Sequence, residues 1–197
     1  QIEPGPISTV DKVKLIDALS KTGLKHIQAC SFVNPRLVPG WADAEKVVES
    51  FDAHEDVEYT GLYFNGNGLD RALAFKDKLT ISGSISLTAS EGFTKKNLNR
   101  THAENMAAME RHVMSHLELG IPVNRIGVMA AVGCNYQGDI SPATVIKTLE
   151  DGMQIAAKTG AEITLFSLAD TMGWAAPHRI ERVVGEVRNV WPDMTIS

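Results

Sequence analysis

The feature that most constrains this chain is a regular alternation of two hydrophobic periods. Strand-like apolar runs occupy residues 24–32, 57–64, 79–90, 124–132, 161–168 and 193–197. Helix-period segments occupy 11–23, 41–54, 68–78, 101–120, 141–160 and 176–191. The stop and start signals agree with that division. Gly23 closes the first helix, Thr101 and Glu104 form a T-x-x-E capping box, and Ser141–Pro142 opens a helix that Gly160 ends. Strands alternating with helices demand a parallel sheet with right-handed crossovers. Two architectures satisfy this: an open doubly wound sheet and a (β/α)8 barrel. Roughly six alternations are present, and a whole barrel needs about 250 residues. The chain starts on a loop and helix and stops inside a strand, so the expectation is an α/β chain forming an incomplete (β/α)8 TIM barrel, about six of eight units, in one domain over 1–197.

Composition narrows the function classes. With 197 residues there is enough chain for one sizeable core. The net charge of −5 offers no basic footprint for nucleic acid or an anionic membrane surface. No apolar run reaches the roughly 18 residues of a membrane span, and the start "QIEPGPIST" lacks signal-peptide character. The two cysteines, Cys30 and Cys134, are too few for a disulfide framework. The expected setting is cytoplasm or an organelle matrix.

In both architectures the functional face lies at the carboxyl ends of the strands. The segments there are "QACSFVNPRLVP", "YFNGNG", "TASEGFTKKN", "AAVGCNYQGD" and "SLADTMGW", all rich in Ser, Thr, Asn, Asp, Gly and Cys. The helix-to-strand turns, such as "KTGLK" and "KTGAE", are short and plain. Asp170 ends an apolar run and is read either as a cap or as a functional carboxylate; the next helix starts only near Pro177. Gln28 is aimed by alternation to the same face as Cys30, as a buried amide or a substrate contact. Cys134 reads as an inert thiol, since no histidine is close in sequence. His112 and His116, four residues apart, are expected on a solvated outer face. "NGNG" (65–68) offers free N–H groups to an anion, and "TKKN" (94–97) places two cations beside a strand end.

Five stretches, in order, carry a resemblance: "KVKLIDALSKTGLKHI", "IQACSFVNPRLVPGWADAEKV", "SEGFTKKNLN", "GCNYQGDISPATV" and "LADTMG". Together they resemble the 3-hydroxy-3-methylglutaryl-CoA lyase family over nearly the whole chain. The resemblance implies a metal-dependent TIM barrel, related to isopropylmalate and homocitrate synthases. Its members cleave a 3-hydroxy-3-methylglutaryl thioester to acetyl-CoA and acetoacetate with Mg²⁺ or Mn²⁺.

The resemblance implies roles by position. Asp170, Ser167 and Thr171 match the family's S-L-G-D-T segment near substrate and metal. Ser31 and Phe32 match its Ser-Phe, Cys134, Tyr136 and Gly138 its G-C-x-Y-x-G loop, and Lys95, Lys96 and Asn97 its T-K-K-N loop. Asp170 and Gln28 are thus the candidate catalytic positions, and the others candidate substrate contacts. Where this chain has Gln28 the family carries Glu in "IETTSF", and an amide takes no proton. The family's metal ligands (an Asp on the first strand, His-x-His on the seventh, an Asn after the eighth) and its catalytic Cys have no counterpart here, so the chain is expected to be a fragment with no metal ligand of its own. The implied partner is an acyl-CoA, with no nucleic acid, no membrane, and a homodimer as the assembly. Two alternatives stand beside the lyase: a non-catalytic barrel relative, motivated by Gln28, and a condensing synthase that joins acetyl-CoA to a 2-oxo acid.

Overall fold

The computed structural model describes residue 5 and residues 7–197. The chain divides into two compact units, Gln1–Ile81 and Ser82–Ser197.

In the first unit, helix α1 (Thr9–Ser20) starts where the Ser8 side chain accepts the Asp11 N–H at 3.1 Å. Strand β1 (His26–Ser31), helix α2 (Ala44–Ser50), strand β2 (Glu58–Leu62) and helix α3 (Gly66–Leu73) follow. β1 and β2 pair in parallel, His26 opposite Glu58 and Ser31 opposite Leu62, with a register shift between Gln28 and Cys30. One face of this pair is dry: Ile27, Ala29 and Tyr59 pack with Ile16, Val47, Val48 and Phe51. The other carries His26 and Gln28, both exposed, and His26 Nε2 lies 3.1 Å from Thr60 Oγ1. The Lys78 ammonium donates to the carbonyls of Val48, Glu49 and Phe51, satisfying the open end of α2.

The second unit runs β3 (Gly83–Thr88), α4 (Glu91–Leu98), α5 (His102–Glu118), β4 (Val123–Met129), the antiparallel pair β5 (Gly133–Cys134) and β6 (Gly138–Asp139), α6 (Pro142–Thr159), β7 (Leu165–Leu168), α7 (Pro177–Val190) and β8 (Thr195–Ile196). The four-stranded sheet has the order β3-β4-β7-β8, parallel throughout. Strands join in chain order on one side, with no reversal of the kind that marks a doubly wound sheet. Ile85, Leu87, Ile126, Val128 and Phe166 form the fully buried face, packed with residues of α5, α6 and α7. Ser84, Ser86, Gly127 and Ser167 alternate with them and are half-buried.

Several sequence expectations are corrected. The strand expected over 79–90 begins only at Gly83, and Leu79 is instead a core residue of the first unit. "TKKN" lies on helix α4, not in a loop. Ser90 accepts the Phe93 N–H at 3.2 Å to start that helix, and Asn99, in the left-handed region at φ 51°, ends it. Its eight residues carry too little hydrophobic period to betray a helix. "NGNG" opens α3, where the Asn65 side chain already takes the Gly68 N–H at 2.9 Å. His116 is not on a solvated face: it is 1% exposed, and its Nδ1 donates to the His112 carbonyl at 2.8 Å. Gly83 makes room for it, since a Cβ there would lie 2.9 Å from the His116 ring.

Candidate active site

The carboxyl ends of β4 and β7 lead into two loops that lock together. Ala130, directly after β4, has φ 54°, a left-handed conformation that costs a non-glycine residue energy. It is held there because its N–H donates to Thr171 Oγ1 at 2.8 Å, while the Ala131 N–H donates to the Ala169 carbonyl at 3.0 Å. Trp174 clamps the same loops from the other side. Its Nε1 donates to Asn135 Oδ1 at 2.8 Å, and its ring lies against Gly133, where an added Cβ would stand 2.5 Å from the indole. Only glycine fits there. Arg179 ties the start of α7 to Asp139 at 2.5 Å and lies over the Trp174 ring.

Asp170 stands at the centre of this arrangement. Its Oδ1 accepts the Trp174 N–H at 2.8 Å and its Oδ2 the Ala175 N–H at 2.9 Å. Both bonds lie in its own turn, so the carboxylate organises the loop rather than capping α7, whose N-cap is Ala176. Each oxygen keeps acceptor capacity beyond the one N–H it holds. Thr171 accepts the Ala130 N–H and keeps its hydroxyl proton for another acceptor; Ser167, half-buried, lies on the polar strand face.

A second cluster joins the β4 loop to the start of α4. Ser90 Oγ lies 3.0 Å from Cys134 Sγ and 3.1 Å from Gln137 Oε1. One hydroxyl proton serves one of these, and the thiol proton can be donated back to the serine. Cys134 is fully buried, whereas Tyr136 on the same loop is 56% exposed. Lys95, Lys96 and Asn97 are exposed along α4.

Within the first unit, Gln28 is exposed while Cys30 is buried. The register shift between them separates two side chains that strict alternation would have put on one face. Burial first, then the nearby Glu45, pushes the Cys30 thiol up to about 12, so it is a poor nucleophile. Phe32 is core: its ring stacks on Phe75 at 6.2 Å, under the Arg71 guanidinium. Ser31 is 3% exposed, and its Oγ has no hydrogen-bond partner among the described residues.

The described residues do not fit a metal centre. No group of three or more His, Cys, Asp or Glu among them is placed to hold an ion. Trp174 and Ser90 have no role that the sequence alone assigns. Their signals were a glycine at 133 facing a large ring and a serine three residues before the Phe93 N–H. Neither can be read without knowing which loops meet.

A family model described as HMGL-like matches residues 1–197. The chain is 31% identical over 184 residues to hydroxymethylglutaryl-CoA lyase YngG of Bacillus subtilis, covering 93% of this chain and 58% of that protein. It is 35% identical over 192 residues to the mitochondrial hydroxymethylglutaryl-CoA lyase of Gallus gallus, covering 98% and 61%. A solved HMG-CoA lyase from Acinetobacter baumannii, in complex with coenzyme A and 3-methylmalate, superposes with a TM-score of 0.79 at 30% identity, covering 100% of this chain and 61% of that one. The chain therefore spans about three-fifths of the length of these proteins. Its fold class is α/β, that of an incomplete (β/α)8 barrel, with two parallel strands in the first unit and four in the second among the described residues.

Proposed function

The chain belongs to the HMGL-like family, and from that premise we propose that the protein is a carbon–carbon lyase. It cleaves 3-hydroxy-3-methylglutaryl-CoA, or a related 3-hydroxyacyl-CoA, to acetyl-CoA and an oxo acid such as acetoacetate. The observation that carries this reading is similarity to hydroxymethylglutaryl-CoA lyases along 93% to 98% of this chain. The locked strand-end loops around Asp170 support it.

The reaction removes the proton of the tertiary hydroxyl, breaks the adjacent C–C bond, and leaves a thioester enolate to be protonated. In this reading Asp170, aimed by two backbone N–H groups, accepts a hydrogen bond from the substrate hydroxyl. Thr171 and Ser167 donate to acyl oxygens. Gln28, an amide, orients substrate without exchanging a proton. Ser31, Phe32, Cys134 and Tyr136 shape the binding surface, Phe32 and Cys134 from within the core. Lys95, Lys96 and Asn97 meet the phosphates of coenzyme A, where flexible ammonium groups serve as point charges. Residues 1–197 form part of one catalytic domain. The divalent cation that this family implies, Mg²⁺ or Mn²⁺, takes its ligands from outside the described residues, and no step above runs through it. Among the described residues no helix is long and apolar enough to cross a membrane; we place the protein in cytoplasm or an organelle matrix, as a homodimer.

The test is turnover of 3-hydroxy-3-methylglutaryl-CoA and other 3-hydroxyacyl-CoA thioesters by the full-length protein with added Mg²⁺ or Mn²⁺. Acetyl-CoA appearing together with an oxo acid is expected. No cleavage of any such thioester sinks the lyase reading, and tight acyl-CoA binding without cleavage turns it into the non-catalytic one that Gln28 motivates.

A further inference from the structure

Three buried side-chain atoms have no hydrogen-bond partner among the described residues: Ser31 Oγ, Thr88 Oγ1 and Asn105 Oδ1. Asn105 lies on helix α5, where its amide NH2 donates to the Ser86 carbonyl at 3.4 Å while its Oδ1 stays unpaired. The other two share a position. Ser31 is the last residue of β1 and Thr88 the last residue of β3, the strand end where ligands of such folds bind.

Ile85 and Leu87 face the helices and are fully buried. Ser84 and Ser86 point the other way, their hydroxyls 3.3 Å apart. Period two puts Thr88 on that hydroxyl face, opposite Met129 of β4. The backbone around it is fixed, because the Ala89 N–H donates to the Met129 carbonyl at 3.0 Å and Ser90 caps α4. The residue is 4% exposed. Folded proteins rarely leave a buried hydroxyl unpaired, and valine would fill the same space without the cost.

We propose that Thr88 is a specificity-determining substrate contact, its hydroxyl donating to an oxygen of the acyl group of the thioester. This rests on the lyase reading above. The acyl group is favoured over the carrier because the neighbouring side chains on that face, Ser86, Met129 and Ser167, are uncharged. Arg125, on the same face, stands opposite Ser84 in the strand register, at the far end of the strands. A compact acyl oxygen suits such a place, and a pyrophosphate does not.

Thr88→Val in the full-length protein separates the possibilities by sign. Deleting an orphan hydroxyl raises Tm, by about 2–6 °C, whereas kcat/KM for the acyl-CoA falls about 10- to 100-fold. Thr88→Ser keeps the hydroxyl and stays within about fivefold of the parent. The inhibition constant of free coenzyme A is unchanged in both variants. Parent-like kcat/KM in Thr88→Val overturns the assignment while leaving the lyase reading intact. So does a lowered Tm or a failure to fold, which would make the hydroxyl structural, and so does a parallel loss of coenzyme A binding, which would place the contact on the carrier. A parent protein without turnover overturns the lyase reading and this assignment with it.

Discussion

Asp170 shows how one carboxylate holds a loop and remains available to a ligand. Each oxygen takes one backbone N–H, from Trp174 and from Ala175. Asp170→Asn leaves one acceptor oxygen and turns an NH2 group towards the second N–H, replacing an attraction by a donor–donor clash. Losing a charge-assisted bond of this kind costs about 1.5–3 kcal/mol. The Trp174 indole N–H, bonded to Asn135, reports on the loop directly. In Asp170→Asn its NMR resonance is expected to move towards the free-indole position, and lyase turnover to fall by at least about 100-fold. An unmoved resonance with lost turnover would instead assign the carboxylate to chemistry alone.

Among the elements, α5 carries the clearest pH dependence. His112 and His116 lie one turn apart with ring centroids 4.0 Å from each other. Burial, and then His116 itself, depresses His112 to about 4. Burial likewise lowers His116, against the opposing bond to the His112 carbonyl. Both rings are therefore neutral in the fold, whereas in the unfolded chain a histidine titrates near about 6.5. With folded values below unfolded ones, the unfolded state binds more protons on acidification. The pair's contribution is complete above pH about 6.5 and is lost as pH falls towards 4. Urea midpoints at pH 7 and pH 5 should show the drop, and His112→Gln should flatten it. An equal drop in the variant would place the proton uptake elsewhere.

For the molecule as a whole, stability is unevenly spread. β4 is paired on both sides, by β3 and β7, whereas β1 and β2 pair with each other and β8 has two residues. A central strand opens only when the sheet does, and a two-stranded pair is marginal without its helices. Native-state hydrogen exchange is expected to find the amides of Ile126 and Val128 slowest and those of β8 and β2 faster; equal protection would refute this ranking. The same scale divides what was legible in sequence from what was not. Six strand–helix alternations and the caps at Thr101, Ser141 and Gly160 were readable, because period and capping are properties of neighbours along the chain. So was the family, from five short motifs in fixed order. The helix over "TKKN", the burial of His116 and the split between Gln28 and Cys30 were not, because each depends on what packs across from it. The clamp of Trp174 on Gly133 and the orphan hydroxyl of Thr88 belong wholly to tertiary structure. A close approach and a missing partner are facts about space, and a sequence records only order.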